Sequence, residues 1–205
     1  MGMPVLVIGE SGAGKSTSLR NFDIDEVGVF EVANKRLPFQ KKLNVLQNAT
    51  YEQIVKSLSN PKLKTYVIDD SQYLMSFPML NRAKEKGFDK FTEIAQNFWQ
   101  LIQFILTKVP DDVIVYFLHH SDTTDIGKVK AKTCGKMIDN VLTLEGLFTV
   151  VLFAEAQEHD KYYFITKSDG NTTSKTPIGM FEDLYIDNDL KMVDTRIREY
   201  YDFGA

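Results

Sequence analysis

The segment Val5-Leu6-Val7-Ile8-Gly9-Glu10-Ser11-Gly12-Ala13-Gly14-Lys15-Ser16 puts an apolar run directly before a complete G-x-x-x-x-G-K-[ST] sequence. The run reads as a buried strand, and the glycines behind it let the backbone turn so that successive N–H groups point at an anion. In such a loop Lys15 reaches the β and γ oxygens of a nucleoside triphosphate, and the Ser16 hydroxyl binds Mg²⁺. The expected nucleotide-binding residues are Gly9, Glu10, Ser11, Gly12, Ala13, Gly14, Lys15, Ser16 and Thr17. Thr17 to Phe22 can supply the helix that must follow, with Leu19 and Phe22 on one face. The competing reading is a glycine turn that holds no ligand.

Working outward, further apolar runs alternate with helical patterns, which predicts an α/β fold with a mostly parallel sheet flanked by helices. Strands are expected at 27–32, 66–68, 113–118 and 148–153. The run 162–166 follows the last of these after a connection too short for a crossover helix, so an antiparallel C-terminal hairpin is expected there, with another short strand at 183–186. Thr50 and Gln53 form a capping-box pattern that opens a helix over Tyr51 to Leu58, closed by Asn60-Pro61. A longer amphipathic helix is expected from Phe88 to Val109; Trp99 lies off its apolar stripe, as a partner surface or an ordinary half-buried tryptophan. With 205 residues and 43% hydrophobic content the chain can bury one substantial core, so residues 1–205 are read as a single domain.

Composition narrows the function classes. Lys+Arg of 24 against Asp+Glu of 28 gives a formal net charge of -4, so any nucleic acid contact must be local. A lone cysteine, Cys134, rules out an internal disulfide framework and fits a reducing compartment. A strand begins almost at the first residue, and no apolar run approaches bilayer length, so a cytoplasmic protein without membrane contact is expected.

A triphosphate site also needs a carboxylate beside the phosphate loop, and Thr65-Tyr66-Val67-Ile68-Asp69-Asp70 places two acids at a strand end. Asp69 is the expected metal-side carboxylate, together with Ser16. Asp70 and Glu31 are the two candidates for orienting or deprotonating an attacking water, Glu31 having the alternative of pairing with Lys35 or Arg36. The fourth apolar run ends in His119-His120-Ser121-Asp122, where one imidazole, His119 for preference, can sense a γ-phosphate or else satisfy loop backbone. Residues 126–137 carry four lysines and two glycines. They read as a mobile loop touching single-stranded nucleic acid, as the source of a lysine that completes a neighbouring subunit's site, or as a solvated surface. Lys132 and Lys136, around Thr133-Cys134-Gly135, are the preferred pair.

Taken together, the phosphate loop through Thr17, Leu37-Pro38-Phe39, Val67-Ile68-Asp69-Asp70, His119, Lys132-Thr133-Cys134-Gly135-Lys136-Met137, Leu144-Glu145-Gly146-Leu147-Phe148-Thr149 and Thr176-Pro177-Ile178-Gly179-Met180-Phe181 resemble the small phage-encoded RecA-like ATP-binding proteins related to single-strand annealing or recombination ATPases. The resemblance implies a RecA-like P-loop NTPase core, ATP with Mg²⁺, and a homo-oligomer, ring or filament, with a shared active site. Single-stranded DNA and other phage replication or recombination proteins are its implied partners. Two other function classes fit the motifs: a nucleotide-gated adaptor such as a helicase loader, and a small-molecule kinase. A kinase usually gathers arginines around the transferred phosphate, and Arg20, Arg36, Arg82, Arg196 and Arg198 form no such cluster in the sequence.

Overall fold

The computed structural model describes residues 1–125, 127–139, 142–157 and 161–203, together with the backbone but not the side chains of Lys136 and Met137. β1 (Met3–Gly9) is buried along its whole length because it lies inside a parallel sheet covered on both faces. β2 (Val27–Glu31), β3 (Asn44–Gln47), β4 (Thr65–Asp69), β5 (Ile114–Thr123), β6 (Val129–Ala131), β7 (Val150–Gln157), β8 (Lys161–Ile165) and β9 (Tyr185–Asp187) complete it in the order β3-β2-β4-β5-β1-β7-β8-β9, with β6 paired to β5. All pairs from β3 to β7 along that path are parallel; β7–β8, β8–β9 and β5–β6 are antiparallel. The expected α/β class, mostly parallel sheet and C-terminal hairpin are therefore present.

Strand alternation divides the core into two layers. Leu6, Ile8, Ile68, Val115 and Phe117 face α1 (Tyr51–Ser59), α2 (Tyr73–Asn81) and α3 (Asp89–Lys108). Val5, Val7, Val67, Tyr116 and Leu118 face a short 3-10 helix (Ser16–Asn21) and α5 (Leu190–Tyr201). α1 carries the expected capping box, with Thr50 and Gln53 each serving the other's backbone N–H. On α3, Ile94, Phe98, Leu101, Ile102 and Ile105 are buried at helical spacing, each contributing about 1.5–3 kcal/mol by leaving water. Phe98 matters most for the site, because its ring packs edge-on to His119 at 5.8 Å between centroids. A Phe98→Ala change would cost roughly 3–5 kcal/mol and remove that wall.

Several elements differ from the sequence expectation. The helix after the phosphate loop is a 3-10 helix of 6 residues, since the chain must reach β2 soon afterwards. The fourth run does not end at His119: β5 continues to Thr123 because Ser121, Asp122 and Thr123 pair with β6. Part of the lysine segment is thus a strand, further tied by Val129 N–H to Asn171 and Ala131 N–H to Glu145. β3 is short and mostly exposed, with Val45 and Leu46 adjacent rather than in the apolar alternation that marks a strand. α2 contains Pro78 and exposes Phe77 and Leu80 while burying Leu74 and Met75, so its apolar residues form no single stripe. α4 (Lys136–Asp139) is a single turn.

Candidate nucleotide site

The site is assembled at the C-terminal edge of β1, β2, β4 and β5. In the phosphate loop Gly12 and Gly14 have φ of 84° and 85°, a region that other L-residues rarely enter. Gly14 is required twice over, since a Cβ there would stand 2.7 Å from the Tyr162 ring. Lys15 is buried in the loop's concavity and its Nζ donates to the carbonyls of Gly9 and Glu10, each at 2.8 Å. Burial pushes this ammonium down to about 8, against the opposing pull of Asp70 and Asp69. Glu10, Ser11 and Gly12 are exposed, Ala13 and Gly14 buried, and Ser16 and Thr17 half-buried at the start of the 3-10 helix.

Ser16 Oγ donates to Asp69 Oδ1 at 2.9 Å, joining the loop to the end of β4. The same carboxylate oxygen accepts the N–H of Asp70 at 3.0 Å. Burial first and the charge of Asp70 second push the Asp69 carboxyl up to about 6, with Ser16 opposing. A hydroxyl and a carboxylate held together are oxygen donors suited to Mg²⁺, which completes its shell with waters and phosphate oxygens rather than a protein cage. The described residues contain no group of three or more His, Cys, Asp or Glu side chains that could hold a metal by themselves.

The two candidate acids are engaged differently. Glu31 is buried, and its oxygens accept the backbone N–H groups of Ala33, at 3.0 Å, and Lys35. Burial raises its carboxyl, while those two N–H groups oppose. The alternative ion pair of Glu31 with Lys35 or Arg36 is not present among the described residues; Glu31 meets Lys35 only at its backbone N–H. The Lys35 ammonium goes instead to Asp70 Oδ2 at 2.5 Å, and it lies 5.4 Å from the centre of the Tyr73 ring. His120 Nε2 stands 3.2 Å from Asp70 Oδ1, close enough to favour the ionised acid but out of line for a hydrogen bond. Burial pushes the Asp70 carboxyl up, but His120 and Lys35 outweigh it and hold the group below its ordinary value.

His119 is fully buried, with Nδ1 2.9 Å from Ser71 Oγ and Nε2 2.7 Å from the carbonyl of Lys132. Burial lowers it to about 4, so it is a neutral imidazole that ties the turn after Asp70 to the lysine segment. Both ring nitrogens are already occupied; His120 is the member of the pair that faces an acid of the site. The Lys132 N–H is bonded to the His120 carbonyl at 2.9 Å, its side chain is exposed, and no ion pair to it is present among the described residues. The Lys136 side chain, the other preferred lysine, and Ile126 lie outside the described residues.

Sequence reasoning named Lys35 only as an alternative partner of Glu31, and it overlooked Tyr73. Their motif-free positions, four residues after Glu31 and three after Asp70, become meaningful only once β2 lies beside β4 with Glu31 opposite Asp69. Tyr162 was visible only as a strand residue, because its contact with Gly14 depends on the hairpin folding back over the loop. No protein family matches this chain, and no curated protein is significantly similar to it.

Proposed function

We propose that this chain is a Mg²⁺-dependent ATPase with a RecA-type core, working as an oligomer on single-stranded DNA in phage recombination or replication, in the cytoplasm of the host. The observation that carries the reading is the 2.9 Å hydrogen bond from Ser16 to Asp69, which brings a complete phosphate loop onto a strand-end acid 53 residues away. β5 lies between the strands bearing these two groups and delivers His120 to the same edge. Bound Mg²⁺ would supply charge neutralisation at the β and γ phosphates.

The protein's own groups then divide the work. Loop N–H groups and Lys15 hold phosphate oxygens, while Ser16 and Asp69 hold the metal. Asp70 is better suited than Glu31 to orient the attacking water: its carboxylate meets only side chains at the site edge, whereas Glu31 anchors two backbone N–H groups of its own turn. Lys132, whose side chain is exposed, is available for DNA phosphates or for a neighbouring subunit's site, and the same role is proposed for Lys136. Their segment is wired to the acid edge through His119, which also favours the second reading, a nucleotide-gated adaptor whose conformation follows the bound nucleotide.

A small-molecule kinase is the least supported alternative. Four of the five arginines are engaged elsewhere, Arg20 by Asn188, Arg82 by Glu85 and Glu93, Arg196 by the carbonyls of Met180 and Gly179, and Arg198 by Asp194, which leaves the exposed Arg36 as a single arginine near the site rather than a cluster. The test is ATP turnover with and without single-stranded DNA, read beside the assembly state by light scattering. Lys15→Ala should remove most ATP binding, and turnover should fall by at least about 10²-fold. Unchanged ATP affinity in that variant would overturn the site assignment. Nucleotide binding without turnover would select the adaptor, and phosphate transfer to a small acceptor the kinase.

A further inference from the structure

Beside the motif residues, one exposed lysine occupies a position that its surroundings fix with unusual thoroughness. Lys35 follows Asn34, whose φ is 59°, in a loop pinned by the Glu31 carboxylate at the backbone of Ala33 and Lys35. The Lys35 ammonium stands over the Tyr73 ring and donates to Asp70. Asp70 itself has φ of 56°, a left-handed conformation that an aspartate adopts only at some cost. The Asp70 N–H donates to Asp69 Oδ1, the oxygen that also receives Ser16. A continuous path therefore runs from Glu31 through the Lys35 loop, the Asp70 carboxylate and the Asp70 backbone to the Ser16–Asp69 pair.

We propose that Lys35 is a positioning residue for the metal pair: by holding the Asp70 carboxylate it fixes the residue whose backbone N–H anchors the Asp69 oxygen that Ser16 also meets. The proposal rests on the hydrolase reading for its kinetic consequence but not for its structural one. The core does not need this side chain, which is 58% exposed and is held by its surroundings through its ammonium, at Asp70 and over the Tyr73 ring. Methionine at this position keeps the stem and removes only the ammonium. His120, on the other side of Asp70, is not aligned to hold the carboxylate alone.

The experiment compares wild type, Lys35→Met and Lys35→Arg, using a fluorescent ADP analogue titrated with and without Mg²⁺, alongside ATP turnover at varied Mg²⁺. Wild type should gain nucleotide affinity from the metal. Lys35→Met should lose about tenfold or more of that gain and need correspondingly more Mg²⁺ for half-maximal turnover, the usual effect of removing an outer-shell partner. Its metal-free nucleotide affinity should stay within about twofold of wild type, since the loop and Lys15 are untouched, and Lys35→Arg should recover most of the loss. A folded Lys35→Met protein with an undiminished metal-dependent gain overturns the proposal, as does failure of Lys35→Arg to recover function while Lys35→Met loses metal-free affinity equally. If Lys35→Met does not fold, Tyr73→Leu, which removes the ring under the ammonium, should show a smaller loss of the same kind, and no loss would again overturn it. Wild-type protein that binds nucleotide and metal without turning over ATP would defeat the hydrolase reading while leaving the metal-gain comparison intact.

Discussion

Two buried carboxylates at opposite ends of the same sheet are treated in opposite ways. Asp194 enters from α5 near the N-terminal ends of β4 and β5. It accepts Thr65 Oγ1 at 3.1 Å to each oxygen, Tyr116 OH at 3.0 Å and Arg198 Nε at 2.7 Å. Arg198 in turn donates to the carbonyls of Asp112 and Lys64, each at 2.8 Å. Asp69, at the C-terminal end of β4, receives its two hydrogen bonds on one oxygen and has no ion pair among the described residues. Lys15, close enough for each charge to affect the other, spends its donors on backbone carbonyls. A carboxylate with saturated partners fastens a helix; one left short of partners keeps its affinity for a cation.

The largest effect should come from the saturated end. Replacing Asp194 by Ala strands Arg198 and the Tyr116 hydroxyl, and removing one partner of a buried pair typically costs about 3–5 kcal/mol. Urea unfolding would measure it, and nucleotide affinity of the protein that remains folded should be unchanged. A loss below about 1 kcal/mol, the level of an exposed pair, would erase the contrast between the two ends.

Asp69→Asn should move stability the other way. The carboxyl is raised to about 6 against an ordinary 3.8, so the folded state retains a proton that the unfolded chain has already released between those pH values. Stability therefore falls as pH rises from 3.8 to about 6, and the ionised group is a burden of at most roughly 3 kcal/mol at pH 7. Asparagine keeps a hydrogen-bond acceptor for Ser16 without the charge, and should raise unfolding free energy by roughly 1–2 kcal/mol. ATP turnover should fall at least about 10²-fold in the same protein. If Asp69→Asn instead destabilises as Asp194→Ala does, Asp69 is a structural acid and the comparison fails.

His119 sharpens the contrast in acid. Lowered to about 4 by burial, it stays neutral in the folded state, while the unfolded chain binds a proton below 6.5. Its contribution is present above 6.5 and is lost as pH falls towards 4, opposite in sign to the contribution of Asp69 over an overlapping window. The two offset each other in part in wild type, so Asp69→Asn should show a steeper gain of stability between pH 4.5 and 6.5. His119→Gln combined with it should flatten that slope. Unfolding measured across that range decides it, and parallel curves for wild type and Asp69→Asn would contradict the assignment.

Much of this was legible in the chain before any coordinates. β1, β2, β4 and β7 announce themselves as apolar runs, α1 by its cap and α3 by its stripe, because these elements obey local rules of burial and hydrogen bonding. Ser16 and Asp69 were legible because their chemistry is tied to a spacing. β3, α2 and β6 were not: their sequences carry no period, and neighbours supply their pairing or burial. Lys35, Tyr73 and Tyr162 were hidden for a further reason, since each acts across strands that are adjacent in space and distant in sequence. His119 shows the converse hazard. Its place at an apolar-to-polar switch suggested a sensor, but alternation along β5 turns it into the α3 layer and leaves His120 facing Asp70.

The smallest stability effect is expected at the lysine segment, and that is what makes it a test of reach. The Lys132 backbone is held by His119 and His120, whereas its exposed ammonium holds nothing among the described residues. Truncation to alanine should therefore leave stability within about 0.5 kcal/mol of wild type. Lys132→Ala together with Lys136→Ala should leave ATP affinity nearly intact and lower either turnover or single-stranded DNA binding. If the lysines meet DNA phosphates, the slope of log affinity against log salt should fall by about 0.7 for each one removed. If they complete a neighbouring subunit's site, turnover should fall without a change in that slope. When neither quantity moves, the segment is solvated surface, and the functional edge of the sheet stops at Asp70 and His120.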